Sequence, residues 1–361
     1  MINVYTRPTG ILPGVQYLRF VAAALVVASH AWQMIPYIGA GDVGQSFAGG
    51  QAGVDIFFVI SGFIMVYISG GGNSANSGGF LFDRFTRIAP PYWIVTIVMA
   101  TLVLTAPSLF KSARPDLPQL VSSLLFFPWP HPNEKMGTMP LLAIGWTLNY
   151  EMLFYVVFAT AMMINHHFRI FICFAIIGLL VMAGRFLPYP DNPWFYFYTH
   201  TLMLEFLLGM IVALAAPRCK LPTWLIGVFL GVAAIWFGWA IQQPVGRLDA
   251  SRWLMFGLPS AAIVLLVVSA DLQGQVKKIP SLVVLGNASY ALYLVHLFPL
   301  GAVRAAWPHL PALFHQSDVP LLLLSFASSI AAALMFHFWI EKPFVVLVRD
   351  ALEKFKKHTA S

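Results

Sequence analysis

The chain has 361 residues, of which 59% are hydrophobic and 10% charged, with a formal net charge of +7. That apolar content exceeds what one water-soluble core can hide, which excludes a soluble domain and predicts a multi-pass membrane protein. Its apolar runs have the ~20-residue length of membrane helices, not the ~10-residue alternation of barrel strands, and its basic residues are scattered between them as orientation signals, with no nucleic-acid partner expected.

Ten spans are predicted, near 15–35, 52–69, 88–106, 143–164, 169–187, 199–216, 222–241, 252–270, 282–303 and 319–340, in one all-α bundle over residues 1–361. A basic tail, 344–361, follows. If both termini are cytoplasmic, 13 lysines and arginines lie inside against 7 outside, so that orientation is expected, in a bacterial inner membrane. The first apolar run lacks a cleavage pattern and is read as a retained helix. Cys173 and Cys219 have no ligand spacing, so neither a disulfide nor a metal is expected.

In the first span Arg19 and His30 are eleven residues apart. Eleven steps of ~100° make three turns plus about 20°, so both side chains leave one face, ~16 Å apart along the axis. A cation and an imidazole on one face of an apolar helix predict a polar site running through the bundle. Asp55, near the outer start of the second span, reads either as a carboxylate orienting His30 or as an acidic residue at a helix N-terminus. After the glycine-rich stretch 70–79, Arg84 and Arg87 share a helical face. They suit phosphates and equally suit a topology signal, and Pro90 and Pro91 are expected to open the third span.

The outer loop 106–142 is a candidate lid with an apolar interfacial segment near 120–127. In the fourth span Thr147, Glu151 and Tyr155 align at i, i+4 and i+8. A carboxylate at that depth must be protonated, paired or wet, which marks Glu151 as functional. Tyr196 and His200 read as interface belt, and Glu205 either joins the polar site or pairs with Arg185 or Arg304. The ninth span carries a polar ridge at every third residue, Asn287, Tyr290, Tyr293 and His296. Glu341, Lys342 and Pro343 read as a solvated interfacial stop.

The order of these motifs, from the Arg19-x10-His30 pattern through GVDIFFVISGF, Arg84-x-x-Arg87, WTLNYEMLFY, SYALYLVH and the terminal EKP, resembles the acyltransferase family 3 membrane proteins over 14–343. Within that family the opening is most similar to members that O-acetylate bacterial exopolysaccharides. The resemblance implies His30 as the essential base, with Glu151 and His296 lining the reaction site and Arg19, Arg84 and Arg87 on acyl-CoA, and Asp55 joins the expected catalytic set as the carboxylate that orients His30. Trp146, Asn149, Tyr150, Tyr290 and Tyr293 are expected to line the acceptor site. Acetyl-CoA or another acyl-CoA would be the donor, with no permanently bound cofactor. A polysaccharide or lipid-linked oligosaccharide would accept, with a polysaccharide biosynthesis complex as candidate partner. Direct transfer and an acetyl-histidine intermediate both stay open. The rival reading is a transporter or flippase for a lipid-linked sugar, with Arg19, His30, Asp55, Glu151 and His296 as a relay, although no internal repeat supports it.

Overall fold

The computed structural model describes residues 10–35, 51–69, 77–107, 116–131, 138–187, 192–243, 250–311, 314–315 and 317–348. The predicted loop 70–79 and basic tail 344–361 fall largely outside them, as do Lys111, Arg114, Lys135 and Arg247. Among the described residues the architecture is helical, and eight helices are long and apolar enough to cross a membrane.

The first helix, α1 (Pro13–Trp32), opens on a proline at N1 and borrows its cap from far along the chain. The Asp271 carboxylate accepts the amides of Gly14 at 2.9 Å and Val15 at 3.0 Å. A negative group at the positive end of a helix is favourable, so this contact fixes the register of the helix that carries Arg19 and His30. The second helix, α2 (Gly53–Ile68), has 16 residues and rises only ~24 Å. It is buried on most of its surface, and a Cβ at Gly53 would collide with the Ala22 carbonyl of α1. Farther along, Gly62 and Gly209 bring α2 against α8 (Met203–Ala215) at backbone contact, because a Cβ on either would strike a carbonyl of the other helix. Small residues are the usual means of such close crossing in a membrane, where apolar burial alone drives no association.

The third helix, α3 (Ser77–Thr105), starts eleven residues before its predicted span and contains Pro90 and Pro91 in its interior. The prolines therefore do not open it. Their missing amides leave the carbonyls of Thr86 and Arg87 without an intrahelical partner, which membrane helices tolerate, and beside them the Tyr290 hydroxyl donates to the Ile88 carbonyl at 2.7 Å. Arg87 sits about one turn and Arg84 nearly two turns before the prolines on this helix. The loop beyond holds α4 (Leu117–Leu124), pinned when the Trp93 indole donates to the Leu124 carbonyl at 2.7 Å.

Next come α5 (Trp146–Asn165), α6 (Arg169–Phe186), the short α7 (Pro193–Tyr198) leading into α8, and then α9 (Thr223–Ala240). Arg169 is buried at the end of α2, where it donates to the Ser69 hydroxyl at 3.2 Å and the Ser69 carbonyl at 3.3 Å. A π-helical turn (Trp253–Gly257) precedes α10 (Leu258–Leu272), and a second (His337–Glu341) follows α14 (Val319–Phe336). Each lies just ahead of a proline, Pro259 or Pro343, whose missing amide favours widening of the turn.

The predicted ninth span is divided into α11 (Pro280–Asn287), α12 (Ser289–Val295) and α13 (Leu297–Ala306). Two local causes meet at His296. Its Nδ1 bonds the carbonyls of Tyr293 at 2.8 Å and Leu292 at 3.2 Å, competing with the backbone, and Pro299 supplies no amide to Val295.

Candidate active site

Two histidines meet at the junction of α1 and α12. The His296 Nε2 lies 3.2 Å from the His30 Nδ1, and the ring centroids are 5.0 Å apart. The contacts assign the protons. Because His296 Nδ1 faces two carbonyl oxygens it carries its hydrogen, which leaves Nε2 as an acceptor. His30 Nδ1 faces the Val26 carbonyl at 3.0 Å and that acceptor, so it too is the protonated nitrogen. The His30 Nε2 lone pair is left as the basic atom of the pair. His296 is fully buried, whereas His30 is half-buried.

One and nearly two turns before His296 on α12, Tyr293 and Tyr290 line a cavity of about 80 Å³ that opens to solvent. Its walls are Arg19 of α1, the Val54 to Met65 face of α2, Arg84 and Arg87 of α3, and Thr147, Glu151 and Tyr155 of α5. The i, i+4, i+8 alignment on α5 is thus one wall of this space. Glu151 accepts from the Ser61 hydroxyl at 2.9 Å and from the Tyr155 hydroxyl through the same oxygen. Arg19, Arg84 and Arg87 also line a wider vestibule with His337 and Glu341, so the three cations stand where vestibule and cavity join. Arg84 buries its Nε without a hydrogen-bond partner, and among the described residues Arg84 and Arg87 form no ion pair. Unspent guanidinium donors at a cavity mouth are chemically suited to a phosphate-bearing ligand.

Several expected positions are corrected. Asp55 does not contact His30: both of its oxygens are taken by the Arg252 guanidinium, with Nε to Oδ1 at 2.9 Å, and the pair is buried. Arg252 also donates to the Gln51 carbonyl at 3.0 Å. Orientation of His30 falls to His296 and Val26 instead. Trp146, Asn149 and Tyr150 do not line the cavity, Asn149 being turned about 160° from both Thr147 and Glu151. Tyr150 stacks on Phe197 with centroids 4.0 Å apart. Glu205 is buried against Gly257 of the π turn that begins at Trp253, beside neither Arg185 nor Arg304 in any ion pair among the described residues. Glu341 is not a solvated stop: it is largely buried and meets the His337 Nδ1 at 2.7 Å.

These features define a multi-pass helical protein in which a cation-lined cavity leads toward a paired-histidine centre. Residues 12–338 match the family described as an acyltransferase domain, and the chain belongs to acyltransferase family 3. It is 36% identical over 263 residues to "Exopolysaccharide production protein ExoZ" of Rhizobium meliloti (strain 1021), covering 73% of this chain and 80% of that protein. Over 369 residues it is 26% identical to "Putative O-acetyltransferase SACOL0978" of Staphylococcus aureus (strain COL), covering 92% of this chain and 57% of that longer relative. No solved structure matches the chain.

Proposed function

We propose that the protein transfers an acyl group, with acetyl as the leading candidate, from acyl-CoA to a hydroxyl of an exopolysaccharide or its lipid-linked precursor at the bacterial inner membrane. The observation that carries this reading is a cavity lined by three arginines at its mouth and by Tyr293 deeper in, whose ring lies 6.2 Å from the His296 ring that contacts His30. Support for the acceptor comes from relatives named for exopolysaccharide production and O-acetyl transfer.

In this reading Arg19, Arg84 and Arg87 hold the phosphates of CoA, and the pantetheine arm extends into the cavity. The ~16 Å rise from Arg19 to His30 is within its reach. Glu151, held by Ser61 and Tyr155, offers an acceptor at the wall to a pantetheine amide. His30 Nε2 takes the proton of the sugar hydroxyl as its oxygen bonds to the thioester carbonyl carbon. Collapse of the tetrahedral adduct breaks the carbon–sulfur bond, and the imidazolium returns the proton to the leaving thiolate. Asp55 acts with Arg252 as a buried tie between α2 and the start of α10, not at the reacting atoms.

Mass spectrometry of the polysaccharide from a host carrying the protein, its His30→Ala variant or neither tests the reading. Acyl groups should be present only with the parent protein. An identical acyl content in all three would overturn it.

A further inference from the structure

The cavity has a direction. On α5 its lining runs from Tyr155 through Glu151 to Thr147, and on α2 from Met65 to Phe57 and Val54. On α12 it runs from Tyr290 to Tyr293, with His296 the next residue of that series and outside the lining. The end remote from the arginines is thus lined by Phe57, Tyr293 and Thr147. Their properties differ. Tyr293 is nearly buried and fixed, since its hydroxyl donates to the Ile144 carbonyl at 2.7 Å and meets the Thr147 hydroxyl at 2.7 Å. Phe57 is half-buried and set edge-on to Tyr293, with centroids 6.1 Å apart at 70°. Behind this pair the Tyr293 ring lies 6.2 Å from the His296 ring, which holds His30.

We infer that the Phe57–Tyr293 pair is the acyl-size limit of the enzyme, with Tyr293 as fixed wall and Phe57 as the ring that sets the opening through which the thioester approaches His30. The inference rests on the acyl-CoA reading above. An acetyl group presents one methyl to this opening, and every added methylene must be fitted beside the Phe57 ring. In an apolar pocket one methylene discriminates by about 10- to 200-fold. Phe57 is thereby a specificity determinant, not a catalytic residue.

The test uses the full chain in nanodiscs with acetyl-, propionyl- and butyryl-CoA and an oligosaccharide acceptor, comparing kcat/KM along the series. The parent should lose about 10-fold or more per added methylene. Phe57→Ala should cut the acetyl-to-butyryl ratio by about 10-fold or more by raising butyryl use, and Phe57→Trp should raise that ratio. Ile64→Ala, on the same wall about two helical turns away, should lower use of all three donors together. If Phe57→Ala loses its thermal transition, Phe57→Leu and Phe57→Trp decide, shifting the ratio in opposite directions. Acetyl transfer by the parent with an unchanged ratio in the folded Phe57 variants overturns the inference alone. A parent that uses no acyl-CoA removes the functional reading and the inference with it.

Discussion

The histidine pair makes a quantitative claim, because the two rings look alike in sequence and are assigned different tasks. His30 Nδ1–H is shared between the Val26 carbonyl and His296 Nε2, so deleting the His296 ring removes one branch of a forked bond and leaves the other at 3.0 Å. The tautomer survives, and the loss is of the order of one net hydrogen bond, about 1 kcal/mol, which is about fivefold in rate. Deleting His30 removes the base itself, a loss of about 10²–10⁴-fold. His30→Ala should therefore abolish transfer at every donor concentration, His296→Ala should lower kcat about fivefold with KM for acyl-CoA held, and His296→Gln, which restores an acceptor, should recover part of it. The assay is label transfer from acetyl-CoA in nanodiscs, with each variant's thermal transition checked. If folded His296→Ala is as inactive as His30→Ala, the pair shares the proton transfer and the positioning role assigned to His296 is refuted. Substantial turnover by folded His30→Ala would move the base to His296.

Arg84→Ala with Arg87→Ala should raise the acyl-CoA concentration needed for half-maximal rate with little loss of thermal stability, because both side chains line an open mouth. Lysines should rescue only in part, lacking the guanidinium fork, and an unchanged donor titration in the double variant would place the donor elsewhere. Asp55→Asn or Arg252→Ala should fail by folding, costing about 3–5 kcal/mol as a buried ion pair loses one partner, and a normal melting profile with slowed turnover would return Asp55 to the catalytic set. Both termini should be cytoplasmic. Setting aside the buried Arg169 and Arg252 still leaves 12 basic residues inside against 6 outside, and a reporter at Ser361 that is active on the outer side would reverse the assignment.

Helical periodicity made some of this arrangement legible and concealed the rest. The shared face of Arg19 and His30 and the row of Thr147, Glu151 and Tyr155 follow from residue spacing, and each lies along the path described above. The same arithmetic, applied to the WTLNYE run, turns Asn149 about 160° from Thr147 and Glu151, but it leaves Trp146 and Tyr150 within about 100° of that row, and only the fold takes them out of the cavity lining. What spacing cannot supply is the partner across an interface. Similar depth in the membrane is all that matches Asp55 to His30 in the sequence, yet depth leaves the rotation of α2 undetermined, and Gly53 and Gly62 fix that rotation by where they allow α1 and α8 to approach. For Glu205 the sequence offers Arg185 or Arg304, whereas in the fold it is Asp55 that takes a cation, Arg252, which no spacing rule picks out.

The polar ridge of the ninth span shows how a sequence pattern acquires meaning in three dimensions. Three residues advance a helix by ~300°, so each step along Tyr290, Tyr293 and His296 drifts about 60° around the axis. A drifting ridge cannot pack on one neighbour. It meets three in turn: Tyr290 bonds the Ile88 carbonyl of α3, Tyr293 bonds Ile144 and Thr147 at the start of α5, and His296 bonds His30 of α1. The interruption at His296 lets the last member spend its Nδ1 on its own backbone and still present Nε2 to another helix. A straight helix packed by an i, i+4 row would bind one partner firmly. The three-residue spacing, broken at its final histidine, instead ties three walls of the cavity to one segment and places the oriented imidazole where those walls converge.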